Sequence, residues 1–249
     1  MTTASNARFN AEAAVWDSNP NVLLASNLAF KAILARLPPP LVTPHPETGT
    51  DVLEFGCGTG LLSLALAPHV RSLTAVDAAE GMISALRAKL AAPGAPENVR
   101  AVCTLLETPD GKSLRTAGDL DTRRCWASGP PRFDLVVSHL VLHHIPDLEA
   151  VFRTMFACLA VGGRVALTDF ENFGPDARRF HPESKMDGVE RHGLGRVEME
   201  SLLSKVGFVD VEVETAFEME KAVETEPGSG VMGPRMTFPF LMCMGKRPG

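Results

Sequence analysis

Residues 52–60 read VLEFGCGTG: an apolar run interrupted by Glu54, then three glycines at alternate positions, Gly56, Gly58 and Gly60. An apolar run that stops at glycine reads as a buried strand turning sharply at its carboxyl end. Glycine there lets the backbone turn tightly and approach a ligand closely. The dinucleotide fingerprint G-x-G-x-x-G requires a third glycine where this chain has Leu61, so a nicotinamide or flavin dinucleotide fits poorly. Facing the ligand, Glu54 would repel a pyrophosphate and suit a cation.

On either side of this stretch, β-branched runs alternate with helical patterns, the signature of βαβ units and a parallel sheet. TDVLEF, SLTAVD, NVRAVCTLL, RFDLVVS and GGRVALTDF read as five strands, each apolar enough to be covered on both faces. Helical spacing marks Leu61 to Ala67, Glu80 to Leu90 and Leu148 to Leu159. Beyond Arg196, the helix VEMESLLSKVG leads to two strands, FVDVEVETAFEME and MTFPFLMCMGKR, joined hairpin-fashion by a loop from Glu226 to Pro234. Glu107 to Pro131 and Glu171 to Gly195 show no period, and loops of that length are usually functional or disordered.

The chain of 249 residues is 45% hydrophobic and 22% charged, ordinary for one globular domain, and no apolar run is long enough to span a bilayer. MTTASNARFNAEAAVWD has neither a secretory apolar core nor the arginine-rich character of a transit peptide, so a cytoplasmic location is expected. With a formal net charge of −6 and no basic stripe, nucleic acid is a poor candidate partner. Five cysteines without a C-x-x-C pair suggest neither a zinc site nor a disulfide framework, and the histidine spacing supports no metal site.

E-x-G-x-G-x-G after a strand resembles the first motif of the class I S-adenosylmethionine-dependent methyltransferases. LTAVDAAEGMI, with Asp77 lying 17 residues past Gly60, resembles the second. FDLVVSHLVLHHIPD and LAVGGRVALTDF resemble the fourth- and fifth-strand motifs of the ubiquinone/menaquinone-biosynthesis-like subgroup, and FNAEAAVWD resembles its cofactor-covering helix. The resemblance implies a Rossmann-like, doubly wound α/β fold: a mostly parallel seven-stranded sheet with an antiparallel C-terminal strand pair and an N-terminal helical lid. One domain over 1–249 is expected, with covering helices in 1–40, a cofactor-binding core in 50–170, and an acceptor-side loop and strands in 171–249.

S-adenosylmethionine carries a sulfonium, an ammonium and a carboxylate, which suits glycine backbone mixed with an acid. By resemblance, Asp77 accepts hydrogen bonds from both ribose hydroxyls, Trp16 covers the cofactor and Met82 packs near the adenine. Glu54, Gly56, Cys57, Gly58, Gly60, Ala78, Leu106 and Ser138 are further expected cofactor contacts. Where the family places an acid against the adenine amino group, this chain has Leu105 and Leu106; a displaced Glu107 or backbone alone remains to serve.

His139 reads as a core or switch-point residue. His143 and His144 follow strand four, at the sheet edge where open α/β folds bind ligands. His143, together with His181 and His192 of the unassigned loop, is a candidate for catalysis or acceptor contact. With no tyrosine in the chain, any base must be His, Asp, Glu or Lys. The expected function is methyl transfer to a small-molecule acceptor by in-line displacement. A non-catalytic cofactor-binding scaffold or activator of another methyltransferase is the alternative, and a nucleotide-dependent oxidoreductase is disfavoured by Leu61.

Overall fold

The computed structural model describes residues 3–38, 49–106 and 132–249. Five strands run parallel: β1 (Asp51–Phe55), β2 (Ser72–Asp77), β3 (Val99–Cys103), β4 (Phe133–His139) and β5 (Leu159–Phe170). β6 (Val209–Glu224) and β7 (Met232–Lys246) form the antiparallel hairpin, and β7 adds antiparallel to β5. The seven-stranded order is β3-β2-β1-β4-β5-β7-β6.

Burial on both faces explains why these runs became strands. Successive residues of β4 enter opposite cores: Leu135 and Val137 pack with Val52, Leu66 and Ile83, while Val136 packs with Leu53, Phe152 and Met155. The helices that close the faces are α1 (Thr3–Trp16), α2 (Pro20–Arg36), α3 (Leu61–Leu66), α4 (Glu80–Leu90), α5 (Leu148–Cys158) and α6 (Arg196–Val206). Their ends carry local signals: Asn19 caps α2 ahead of Pro20, Asp147 caps α5, and left-handed Gly207 ends α6. No helix among the described residues is long and apolar enough to cross a membrane.

The aperiodic loop after β5 is ordered by contacts rather than by a long helix. It folds into 3-10 turns at Pro175–Phe180 and Glu183–Lys185, and its base closes where Glu171 bridges Leu194. Phe180 stacks on Phe170 at 4.1 Å between centroids and sits edge-on to Phe238. The stretch from Glu107 to Pro131 lies outside the described residues, and with it the expectation for Glu107.

Candidate active site

The strand order reverses between β1 and β4, so the loops leaving their carboxyl ends diverge and open a crevice there. The three glycines after β1 all have positive φ, 73° at Gly56, 54° at Gly58 and 83° at Gly60. Their roles differ. A Cβ at Gly56 would meet Val141 at 2.4 Å and one at Gly60 would meet Leu86 at 2.3 Å, so these two permit packing of the protein on itself. A Cβ at Gly58 would have only Trp16 Nε1, at 4.0 Å, as a neighbour. Gly58 is therefore the glycine that presents bare backbone to open space.

Two hollows flank this loop. The first, about 340 Å³, is bounded by Asp77, Ala78, Leu105 and Leu106 and by Pro146 and Ala150 across from them. The second, about 90 Å³, lies among Trp16, Glu54, Cys57, Gly58, Met82 and Val141. Gly56 and Asp77 border both, so the pair forms one trough pinched at Asp77. The Asp77 carboxylate accepts hydrogen bonds from the N–H groups of Gly58 and Ala79, each at 2.8 Å. Burial raises its pKa, opposed by those N–H donors. Glu54 is 2% exposed and accepts a hydrogen bond from Ser63 Oγ, and burial raises its pKa to about 8.

The lid lies over the glycine loop. In α1, Asn10 Oδ1 accepts from Gly81 N at 2.7 Å, and a Cβ at Gly81 would fall 2.9 Å from Asn10 backbone. Asp17 accepts from Thr59 Oγ1 and pairs with Lys89, whose Nζ also donates to Thr59 O at 2.7 Å. Met82 and Ala79 pack beneath Ala13, Phe9 and Trp16.

A third cavity, about 280 Å³, opens from the trough and shares Phe9, Trp16, Val22, Leu140 and His144 with it. Its far wall holds Phe180, His181, Met219 and Lys221. Lys221 donates to Phe180 O at 2.6 Å and lies 4.4 Å from that ring's centroid; burial lowers its pKa to about 8. At the base, His143 Nδ1 lies 2.8 Å from Asp169 Oδ1, and a carboxylate can only accept, so Nδ1 carries the proton. Burial alone would raise Asp169, but the electrostatic pull of the neighbouring His143 and the hydrogen bonds it accepts from His143 and from the Phe170 N–H hold it below its ordinary value. His143 Nε2 faces His181 Nε2 at 3.1 Å.

Of the residues that the sequence proposes as cofactor contacts, Trp16, Glu54, Gly56, Cys57, Gly58, Asp77, Ala78, Met82 and Leu106 border the trough. Gly60 does not; it packs on Leu86. Ser138 does not either: its hydroxyl donates to Phe55 O at 2.7 Å and is buried between strands. His143 and His181 reach the third cavity, whereas His192 stays off it. The loop's closure at Glu171 and Leu194 puts His192 beside that bridge instead of beside the cavity. Sequence reading passed over Asp169 and Lys221. Asp169 had a signal in its place at the carboxyl end of β5, while Lys221, one lysine in an alternating strand, had none.

Residues 25–213 match the profile of the methyltransferase domain family. The chain belongs to that family. S-adenosylmethionine is its cofactor, and the trough fits that molecule: bare backbone at Gly58, a buried acid at Glu54 and a carboxylate at the pinch. The methyltransferase domain is similar to an uncharacterised methyltransferase of Schizosaccharomyces pombe, 29% identical over 59% of this chain and 49% of that one. It is also similar to the ubiquinone biosynthesis O-methyltransferase of Stutzerimonas stutzeri, 28% identical over 53% of this chain and 49% of that one. The chain thus spans about half the length of these curated relatives. Among solved structures, a phosphoethanolamine N-methyltransferase of Haemonchus contortus superposes with a TM-score of 0.58 at 15% identity, over 88% of this chain and 53% of that one, a likeness of fold.

Proposed function

We propose that the protein transfers a methyl group from S-adenosylmethionine to a small-molecule acceptor held in the third cavity. The observation that carries this reading is the shared wall: five residues border both trough and cavity, so an acceptor there has a direct line to the methionine end of the trough. The curated O-methyltransferase relative also favours a small-molecule acceptor.

The cofactor, when bound, supplies a methyl group already activated by its own positive sulfur. The chain supplies placement. Asp77 would hold the ribose hydroxyls, Gly58 backbone and buried Glu54 the amino-acid end, and Leu106 the adenine. Phe9 and Trp16 exclude water from the junction. Fixing both reactants in line is worth up to about 7–11 kcal/mol in favourable intramolecular cases. The Asp169-backed His143 lies where an acceptor O–H or N–H would shed its proton, with His181 beside it. A cytoplasmic location belongs to the same proposal.

The test is methyl transfer from isotope-labelled S-adenosylmethionine across a panel of phenols, thiols, amines and quinols. Labelled product with release of S-adenosylhomocysteine is expected. Tight cofactor binding with no turnover on any acceptor class would favour a non-catalytic scaffold.

A further inference from the structure

A methyl-transfer base needs one imidazole, yet three converge at the base of the third cavity. His143 and His144 come from the turn after β4 and His181 from the loop after β5; one ring nitrogen from each lies within 4.8 Å of the others. The second nitrogen of two of these rings is already committed. His143 Nδ1 donates to Asp169, and His144 Nδ1 donates to Gly188 O at 2.7 Å. Both hydrogen bonds fix the tautomer that leaves Nε2 as a lone pair. His143 Nε2 and His181 Nε2, 3.1 Å apart, have the separation of two neighbouring ligands on one ion with bonds of about 2.0–2.1 Å.

The geometry points to a divalent transition-metal site formed by His143, His144 and His181, with its open position toward the acceptor cavity. The inference rests on that cavity being the acceptor site. Three neutral imidazoles with no thiolate suit zinc, iron(II), cobalt or nickel better than magnesium or calcium. Three protein ligands leave room for water or an acceptor oxygen, the pattern of catalytic sites. Asp169 supports a ligand histidine from behind, as carboxylates do around metals. Arg8, Lys221 and Lys185 also face this cavity, Lys185 paired there with Glu12, and the unbalanced positive charge would disfavour a lone cation. Their charge is offset by Asp169 and by an anionic oxygen in the open position, which they would help to hold. An ion held by these three residues would lower the pKa of a coordinated acceptor O–H, whose proton would then pass to water instead of to an imidazole.

Untagged protein, stripped with chelator, should bind cobalt(II) or zinc at one ion per chain, cobalt(II) showing the visible bands of a nitrogen-ligated site. His181→Ala should weaken binding at least tenfold and Asp169→Asn by about 10–100-fold, while His192→Ala leaves it unchanged. His181→Gln, with its fold checked by circular dichroism, repeats the result without opening the loop. Absence of stoichiometric binding at micromolar metal, or binding indifferent to His181, overturns the inference. Calorimetry of S-adenosylmethionine on the same stripped protein separates the readings. Cofactor binding without metal binding overturns the metal site alone; metal binding without cofactor binding overturns the methyl-transfer reading on which the acceptor role depends.

Discussion

Asp77 and Glu54 illustrate two fates of a buried carboxylate. Asp77 receives two N–H donors and still borders open space, so it can hold further donors. Asp77→Ala should therefore weaken S-adenosylmethionine binding more than tenfold, the loss of a charge-assisted contact worth about 1.5–3 kcal/mol. Titration calorimetry on folded protein checks this, and unchanged affinity would remove Asp77 from the cofactor site. Glu54 accepts from the Ser63 hydroxyl and is almost fully buried, and its pKa of about 8 stands above the ordinary 4.5. The folded state thus favours the protonated acid. That contribution is fully present below the unfolded value and is lost as pH rises through the folded one. Without cofactor, the melting temperature should fall between about pH 5 and pH 8, and Glu54→Gln should flatten that decline. Calorimetric melts across the range decide it; an equal decline in the variant would show that Glu54 is not its source.

At the scale of elements, the N-terminal helix is attached to the glycine loop by few contacts that one residue organises. Asp17 joins the buried Thr59 hydroxyl of the loop and the partly exposed Lys89 of α4, tying the end of α1 to both. Asp17→Ala should speed cofactor dissociation roughly fivefold, about 1 kcal/mol, with a stability loss of about 1 kcal/mol from the unpaired Thr59 hydroxyl. Stopped-flow displacement measures it. A rate equal to the parent's would mean that α1 does not gate release. The 11-residue α4 beneath was legible because it carries apolar residues at helical spacing. How closely α1 docks on it was not, because that depends on Gly81 having no side chain where Asn10 backbone comes within reach.

Across the whole molecule, the third cavity is assembled from segments far apart in sequence: α1, the turn after β4, the loop after β5 and the C-terminal hairpin. Lys221 of β6 shows what such assembly costs. Its depressed pKa means that the buried ammonium lowers stability at neutral pH by about 3 kcal/mol. Lys221→Met should keep or raise the melting temperature while raising the Michaelis constant for an anionic acceptor severalfold and leaving cofactor affinity unaltered. Steady-state kinetics beside a thermal melt checks both halves. A variant that loses stability and keeps its Michaelis constant would make Lys221 a structural residue.

The alternation of strands and helices, the apolar runs covered on both faces, and the spacing of Gly56, Gly58, Gly60 and Asp77 could all be read from the chain. Each is a local pattern: burial of β1 on both faces and a turn needing positive φ leave their marks within a few residues. The division of labour among the glycines could not be read, since Val141 and Leu86 decide it from elsewhere in the chain. Nor could the choice between His181 and His192, two histidines in one aperiodic loop. Closure of that loop at Glu171 and Leu194, with Phe180 stacked on Phe170, delivers His181 to a partner 38 residues away and leaves His192 beside the bridge. Such a meeting is set by packing between distant segments, which no local period records.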